Sequence, residues 1–256
     1  MEKPVGTSLQ DIQALEALER SGHGKFIMMG FQFLQKSPLR KALSDFKNGS
    51  FGELIHFRTE YLHSSYLDPV YRRKRSERMQ PIPINGAAVD LGSHVLSLLT
   101  AFLGHSLVVK HASASSNNNF EGVPNNTDLC TVVVLEETIS GAVGTMTASR
   151  VSAGTGDQLS LELRCTRGAL TYNTSQPDSY WCYHLNKGWR RHEVMSNYLP
   201  ASKFPSGYLP SGWLRAMVHN HYLFLTGNKK LGFIPDLAHG IQVQRLLQQI
   251  AEALPN

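Results

Sequence analysis

Residues 108–194 are almost wholly strand and turn, and this stretch constrains the fold more than any other part of the chain. Segments 108–115, 129–135, 141–151, 158–165, 168–173, 180–185 and 189–194 carry alternating or β-branched apolar residues, and turn-forming stretches separate them. A largely antiparallel sheet is the expected product. An earlier alternating segment, 53–62, adds another strand.

Helices flank this sheet. Residues 8–21 place Leu9, Ile12, Leu15 and Leu18 on one stripe, with Thr7 or Ser8 as the cap and Gly22 and Gly24 as the stop. The apolar run 25–30 then reads as a buried parallel strand, so helix and strand together resemble the closing unit of a doubly wound sheet. Further helices are expected at 38–47, with Pro38 in its first turn, at 87–103, ending at Gly104, and at 213–226 and 241–253. The fold class that follows is α+β: an open, mostly antiparallel sheet with helices on one face (31–256), preceded by a helix-strand unit (1–30).

Composition narrows the function. The 256 residues are 41% hydrophobic and 18% charged, enough for a sizeable core. The longest apolar stretch, 95–103, is interrupted by Ser97 and Thr100 and falls short of the roughly 20 residues that span a bilayer. The first residues lack the basic start and apolar centre of a secretory signal, so a cytoplasmic address is expected. Cys130, Cys165 and Cys182 form no C-x-x-C pair, which points to reduced thiols rather than a disulfide framework or a zinc site. The net charge of +5 is scattered except in the basic run 71–78. That run lacks the interleaved aromatics of a nucleic-acid platform and reads as a solvated, electropositive loop near a substrate mouth.

Asp90 and His94 stand four apart on an expected helix, hence on one face. A carboxylate there can orient an imidazole and raise its basicity, which suits a general base. The same spacing also fits an Asp near a helix start and a histidine bonded within the core. Lys3 is followed by Pro4, which stiffens the backbone. At the carboxyl end of a strand its ammonium could stabilise a developing alkoxide. Trp181, Trp189 and Trp213 read as packing residues. His219 and His221, two apart on a helix, make no metal pair, and no metal site is expected.

Several motifs in order resemble those of the glucose-fructose oxidoreductase and inositol dehydrogenase family (Gfo/Idh/MocA). They are Glu2-Lys3-Pro4, Gly30-Phe31-Gln32, Gly49-Ser50-Phe51-Gly52-Glu53-Leu54, Asp90-Leu91-Gly92-Ser93-His94, Ser149-Arg150-Val151-Ser152-Ala153-Gly154 and Gly168-Ala169-Leu170-Thr171-Tyr172-Asn173. The resemblance implies a Rossmann domain binding NAD or NADP, of which residues 1–30 would be the C-terminal remnant, and a substrate and oligomerisation domain at 31–256. It also implies a sugar or polyol substrate and a dimer or tetramer formed through the sheet. It gives Lys3 a place between nicotinamide and substrate, with Pro4 beside the cofactor. Asp90 becomes a substrate-holding carboxylate and His94 the proton acceptor. Tyr66, Arg75 and Arg150 are candidate sugar contacts.

This chain differs from many such proteins at Asn85-Gly86-Ala87-Ala88, at Ser97 and at Gln32-Phe33-Leu34-Gln35. The glycine-rich pyrophosphate turn would precede Met1. The expectation is therefore an NAD(P)-dependent sugar or polyol dehydrogenase with little activity from this chain alone. Alternatives are an NAD-dependent glycosidase and a non-catalytic oligomerisation or sugar-binding protein. The stripe on the first helix and the run 26–29 are expected to be exposed.

Overall fold

The computed structural model describes residues 1–6, 8–79, 86–115, 120, 127–200, 213–228 and 231–254. Thr7, Asn85, Asn117 to Asn119 and residues 201–210 of the Pro-rich loop lie outside the described residues. The strands are β1 (Leu54–Leu62), β2 (Leu107–Ser115), β3 (Cys130–Glu137), β4 (Ala142–Ser149), β5 (Gln158–Cys165), β6 (Gly168–Asn173), β7 (Ser179–His184) and β8 (Gly188–Glu193). They form one open sheet in the order β2-β3-β4-β1-β5-β6-β7-β8. Every pairing is antiparallel except that of β1 with β4.

Side chains alternate across this sheet because successive Cβ atoms point to opposite faces. Phe57, Thr59 and Tyr61 of β1 and Leu159, Leu161 and Leu163 of β5 are buried on one face. Arg58 of β1 and Glu162 of β5 share a 2.8 Å ion pair on the other. A one-residue slip would exchange these sets, so burial fixes the register. The helices are α1 (Leu9–Arg20), α2 (Ser37–Lys47), α3 (Pro69–Lys74), α4 (Ser93–Leu103), α5 (Trp213–Thr226) and α6 (Leu237–Ala253). On the apolar face α4 packs on β1 and α6, α6 on β2, and α2 on β6 and β7.

Four expectations are corrected here. Run 25–30 forms no continuous strand: a 3₁₀ turn at His23–Phe26 leaves Phe26 67% exposed, and only an antiparallel bridge joins Met28 to Asp236. The Met1 ammonium donates to Met28 O and Gly30 N donates to Met1 O, so this segment lies between the first residues and the approach to α6. The stripe on α1 is covered, since Ile12 is buried with Leu237 and Ile241 while Leu15, Leu18 and Ile27 pack against them. Ser8 and Asp11 close a capping box at its start. The basic run 71–78 is not a solvated loop throughout: it spans the end of α3 and a 3₁₀ turn at Ser76–Met79, and Arg72 is buried with Nη1 bonded to the Tyr66 and Leu67 carbonyls. The last helix also begins earlier than expected, at Leu237, where Asp236 Oδ1 accepts from His239 N at 3.0 Å.

Candidate active site

The parallel pairing of β1 with β4 brings their carboxyl ends together at one end of the central strands, where β5 begins. His63, Arg150 and Asp157 lie immediately beyond those strand ends. Against them runs a π-type turn, Ala88–Gly92, that leads into α4. Asp128 ties its start down, accepting from Ala87 N through its carbonyl and from Ala88 N through Oδ2. Gly86 is required there, because a Cβ would overlap the Asp128 carboxylate.

A cavity of about 710 Å³ fills this corner, within the range of about 300–1,000 Å³ common for small-molecule sites. Lys3, Tyr66, Arg75, Asp90, His94 and Arg150 all line it; Pro4 does not. Lys3 Nζ donates to the Asp90 carbonyl at 2.6 Å and to Asp90 Oδ1 at 3.2 Å. Arg150 Nη2 reaches Asp90 Oδ2 at 3.1 Å, and Arg78 Nη1 lies 3.7 Å from the same oxygen. Burial pushes the Asp90 carboxyl up, but Lys3, Arg150 and Arg78 together outweigh it and hold the group well below the usual carboxylate range. Burial lowers the Lys3 ammonium, with Asp90 opposing.

The Asp90 carboxylate thus serves Lys3 and Arg150, and no hydrogen bond joins it to His94 among the described residues. The π-type turn carries Asp90 out of the α-helical stacking that a spacing of four residues assumes. His94 is held instead by rings: Phe31, Phe33 and Tyr61 lie edge-on to it at centroid distances of 6.3, 5.0 and 5.9 Å. Its Nδ1 has no partner among the described residues. Burial, aided by Lys3, keeps the imidazole well below its ordinary pKa and therefore neutral, so its lone pair is open to a proton.

Arg150 is 1% exposed and is committed to Asp90, to the Arg78 carbonyl and to the Tyr66 ring, 4.7 Å from its guanidinium carbon. Tyr66 is likewise buried. The two support the carboxylate from behind, while Arg75 lies exposed on the cavity wall. Sequence reasoning missed Arg78, Tyr61, His63 and Asp157. Arg78 was hidden within a basic run, and the others are marked only by standing at strand ends whose meeting depends on sheet order. Among the described residues no cluster could hold a metal ion, and no helix is long and apolar enough to cross a membrane.

Residues 39–171, more than half of the chain, match the model of the GFO/IDH/MocA C-terminal domain. The chain belongs to the GFO/IDH/MocA family. Solved structures share its fold. A levoglucosan dehydrogenase in complex with NADH and L-sorbose is 20% identical with a TM-score of 0.79, covering 98% of this chain and 69% of its own. An inositol dehydrogenase homolog from Azotobacter vinelandii, in complex with NAD+, is 18% identical with a TM-score of 0.78, over 98% and 68%. An NAD binding oxidoreductase from Klebsiella pneumoniae is 23% identical with a TM-score of 0.79, over 98% and 70%. No curated protein sequence matches the chain. The GFO/IDH/MocA fold is thus common to all of them, with an open mixed sheet and helices on one face.

Proposed function

We propose that this chain carries the substrate site and the base of an NAD(P)-dependent dehydrogenase of a sugar or polyol. One observation carries the reading: a lysine ammonium bound to an ionised carboxylate faces the same cavity as a neutral, buried imidazole. His94 takes the proton of the reacting hydroxyl. Lys3, fixed by Asp90, stabilises the negative charge that develops on that oxygen, and the buried setting strengthens the effect. Arg150 and Arg78 keep Asp90 ionised so that Lys3 stays oriented. NAD or NADP, when bound, supplies the hydride acceptor. Lys3, at the cavity wall, fits its reacting end, with Pro4 adjacent in the chain; residues 1–30 form the cofactor-facing part and 31–256 the substrate domain. Structural relatives with NADH and L-sorbose, or with NADH and myo-inositol, support the substrate class. Exposed Ile55, Val132 and Val143 on the sheet support self-association through that face.

The test is binding of a sugar and polyol panel by calorimetry, followed by reduction of added NAD+ or NADP+ with the best binder. Lys3→Met and Asp90→Ala should weaken binding, and His94→Ala should lower turnover by about 10²- to 10⁴-fold. Failure of every panel member to bind, or turnover indifferent to His94, refutes the reading.

A further inference from the structure

The cavity has a second polar wall that the reaction above does not use. Leu62, the last residue of β1, pairs with Ser149 on one side and Gln158 on the other. Arg150 and Asp157 therefore leave the sheet on opposite sides of His63, two strand spacings or about 10 Å apart. Arg150 holds Asp90, so the reacting corner lies at one end of this span and Asp157 at the other. The span accommodates one six-membered ring with a hydrogen bond at each end.

The Asp157 carboxylate is built to accept. Its side chain is 41% exposed and faces the cavity. Among the described residues, two side chains approach Oδ1 within 3.5 Å: the Tyr61 hydroxyl donates at 3.4 Å and His63 Nε2 lies at 3.5 Å. Ser65 N donates to His63 Nδ1 at 3.2 Å, which leaves the ring proton of the neutral imidazole on Nε2, where Ser65 Oγ accepts it at 3.2 Å and Asp157 Oδ1 lies slightly farther off. Oδ2 receives no hydrogen bond from any described residue. Tyr61 links the two walls, since its ring lies edge-on to His94.

Resting on the dehydrogenase reading, we propose that Asp157, held by Tyr61 with His63 beside it, is a specificity determinant that accepts a hydrogen bond from a hydroxyl of the substrate ring distant from the carbon being oxidised. The substrate is thereby a cyclic polyol or sugar ring with free hydroxyls at both ends, rather than a simple secondary alcohol.

Calorimetric titration of myo-inositol, D-glucose and L-sorbose, each with its single-deoxy analogues, into wild type, Asp157→Ala and His63→Gln tests this without requiring turnover. Asp157→Ala should weaken binding of the best parent ligand by about ten- to a hundredfold. One deoxy analogue should bind wild type and variant equally, because the hydroxyl that Asp157 reads is already gone. His63→Gln should weaken the parent less, and thermal midpoints close to wild type verify folding. Equal binding of the parent by Asp157→Ala, or the same loss for every analogue, overturns the proposal and leaves the dehydrogenase reading standing. No binding of any probe by wild type overturns both.

Discussion

Replacing Asp90 with Asn isolates what holds the reacting corner together. Asp90 neutralises two nearly dry cations, Lys3 at 13% and Arg150 at 1% side-chain exposure. Asn keeps the shape but loses the charge, and its amide, turned toward either cation, presents a donor to a donor. Removing one partner of a buried pair costs about 3–5 kcal/mol. Asp90 is itself 23% exposed and the Arg78 contact, with that arginine 46% exposed, adds little. The lower end of that range, about 3 kcal/mol, is therefore expected, and most of it reflects an Arg150 guanidinium left buried without a counter-charge. Urea unfolding followed by tryptophan fluorescence measures it. Adding Arg150→Met removes the stranded charge while keeping an apolar stem on Tyr66, so the double variant should be more stable than Asp90→Asn alone. A loss below about 1 kcal/mol in Asp90→Asn, or losses that simply add in the double variant, would refute the reasoning.

Mild acid should destabilise the fold through its buried histidines. Burial depresses His94 well below its ordinary value and takes His239 to about 3, so the unfolded chain binds more protons below pH 6.5 and stability present above that pH is lost as pH falls. His239 alone should contribute a loss of about 1.3 kcal/mol between pH 7.5 and 5.5, with His94 adding to it in the same direction; urea midpoints read the sum, and a flat profile would contradict it. Gly144→Ala should cost about 2–3 kcal/mol, because its Cβ would overlap the ring and carbonyl of Phe57 on the parallel neighbour; a loss under about 1 kcal/mol would show that β4 can shift. Asp236→Ala should cost about 1 kcal/mol through the lost cap on α6, measured by thermal unfolding, while Asp236→Ser should recover most of it.

Much of the sheet was legible because alternation is a local signal. Strands β5 and β6 and helix α5 were read with the bounds they have, and β1 differed by one residue. The order of strands was not legible, since no residue in β1 records that it lies between β4 and β5. The same limit hid His63 and Asp157, whose meeting follows from that order. The run 25–30 failed as a strand because apolar composition does not distinguish a ladder from backbone bonded to Met1 and Pro235. Asp90 and His94 were found by spacing, and Asp90 does act to raise the basicity of His94, but the direct contact expected between them is absent: the π-type turn has no simple sequence mark, and the cations that take the carboxylate come from residues 3, 78 and 150.

The seat of β1 between two strands that follow one another in the chain has a consequence for how the molecule folds. β2 to β4 and β5 to β8 are each a meander of antiparallel strands consecutive in the chain, whose pairing closes loops far shorter than the one that β1 must close. β1 must be captured from far earlier in the chain, and such distant pairing is the slow part of folding. In the finished sheet β1 sits where β4 and β5 would otherwise be neighbours, and it sets Arg150 and Asp157 two strand spacings apart instead of one. The one strand that joins the two meanders is therefore also the one that holds the cavity open, so the site depends on the longest-range strand pairing in the sheet.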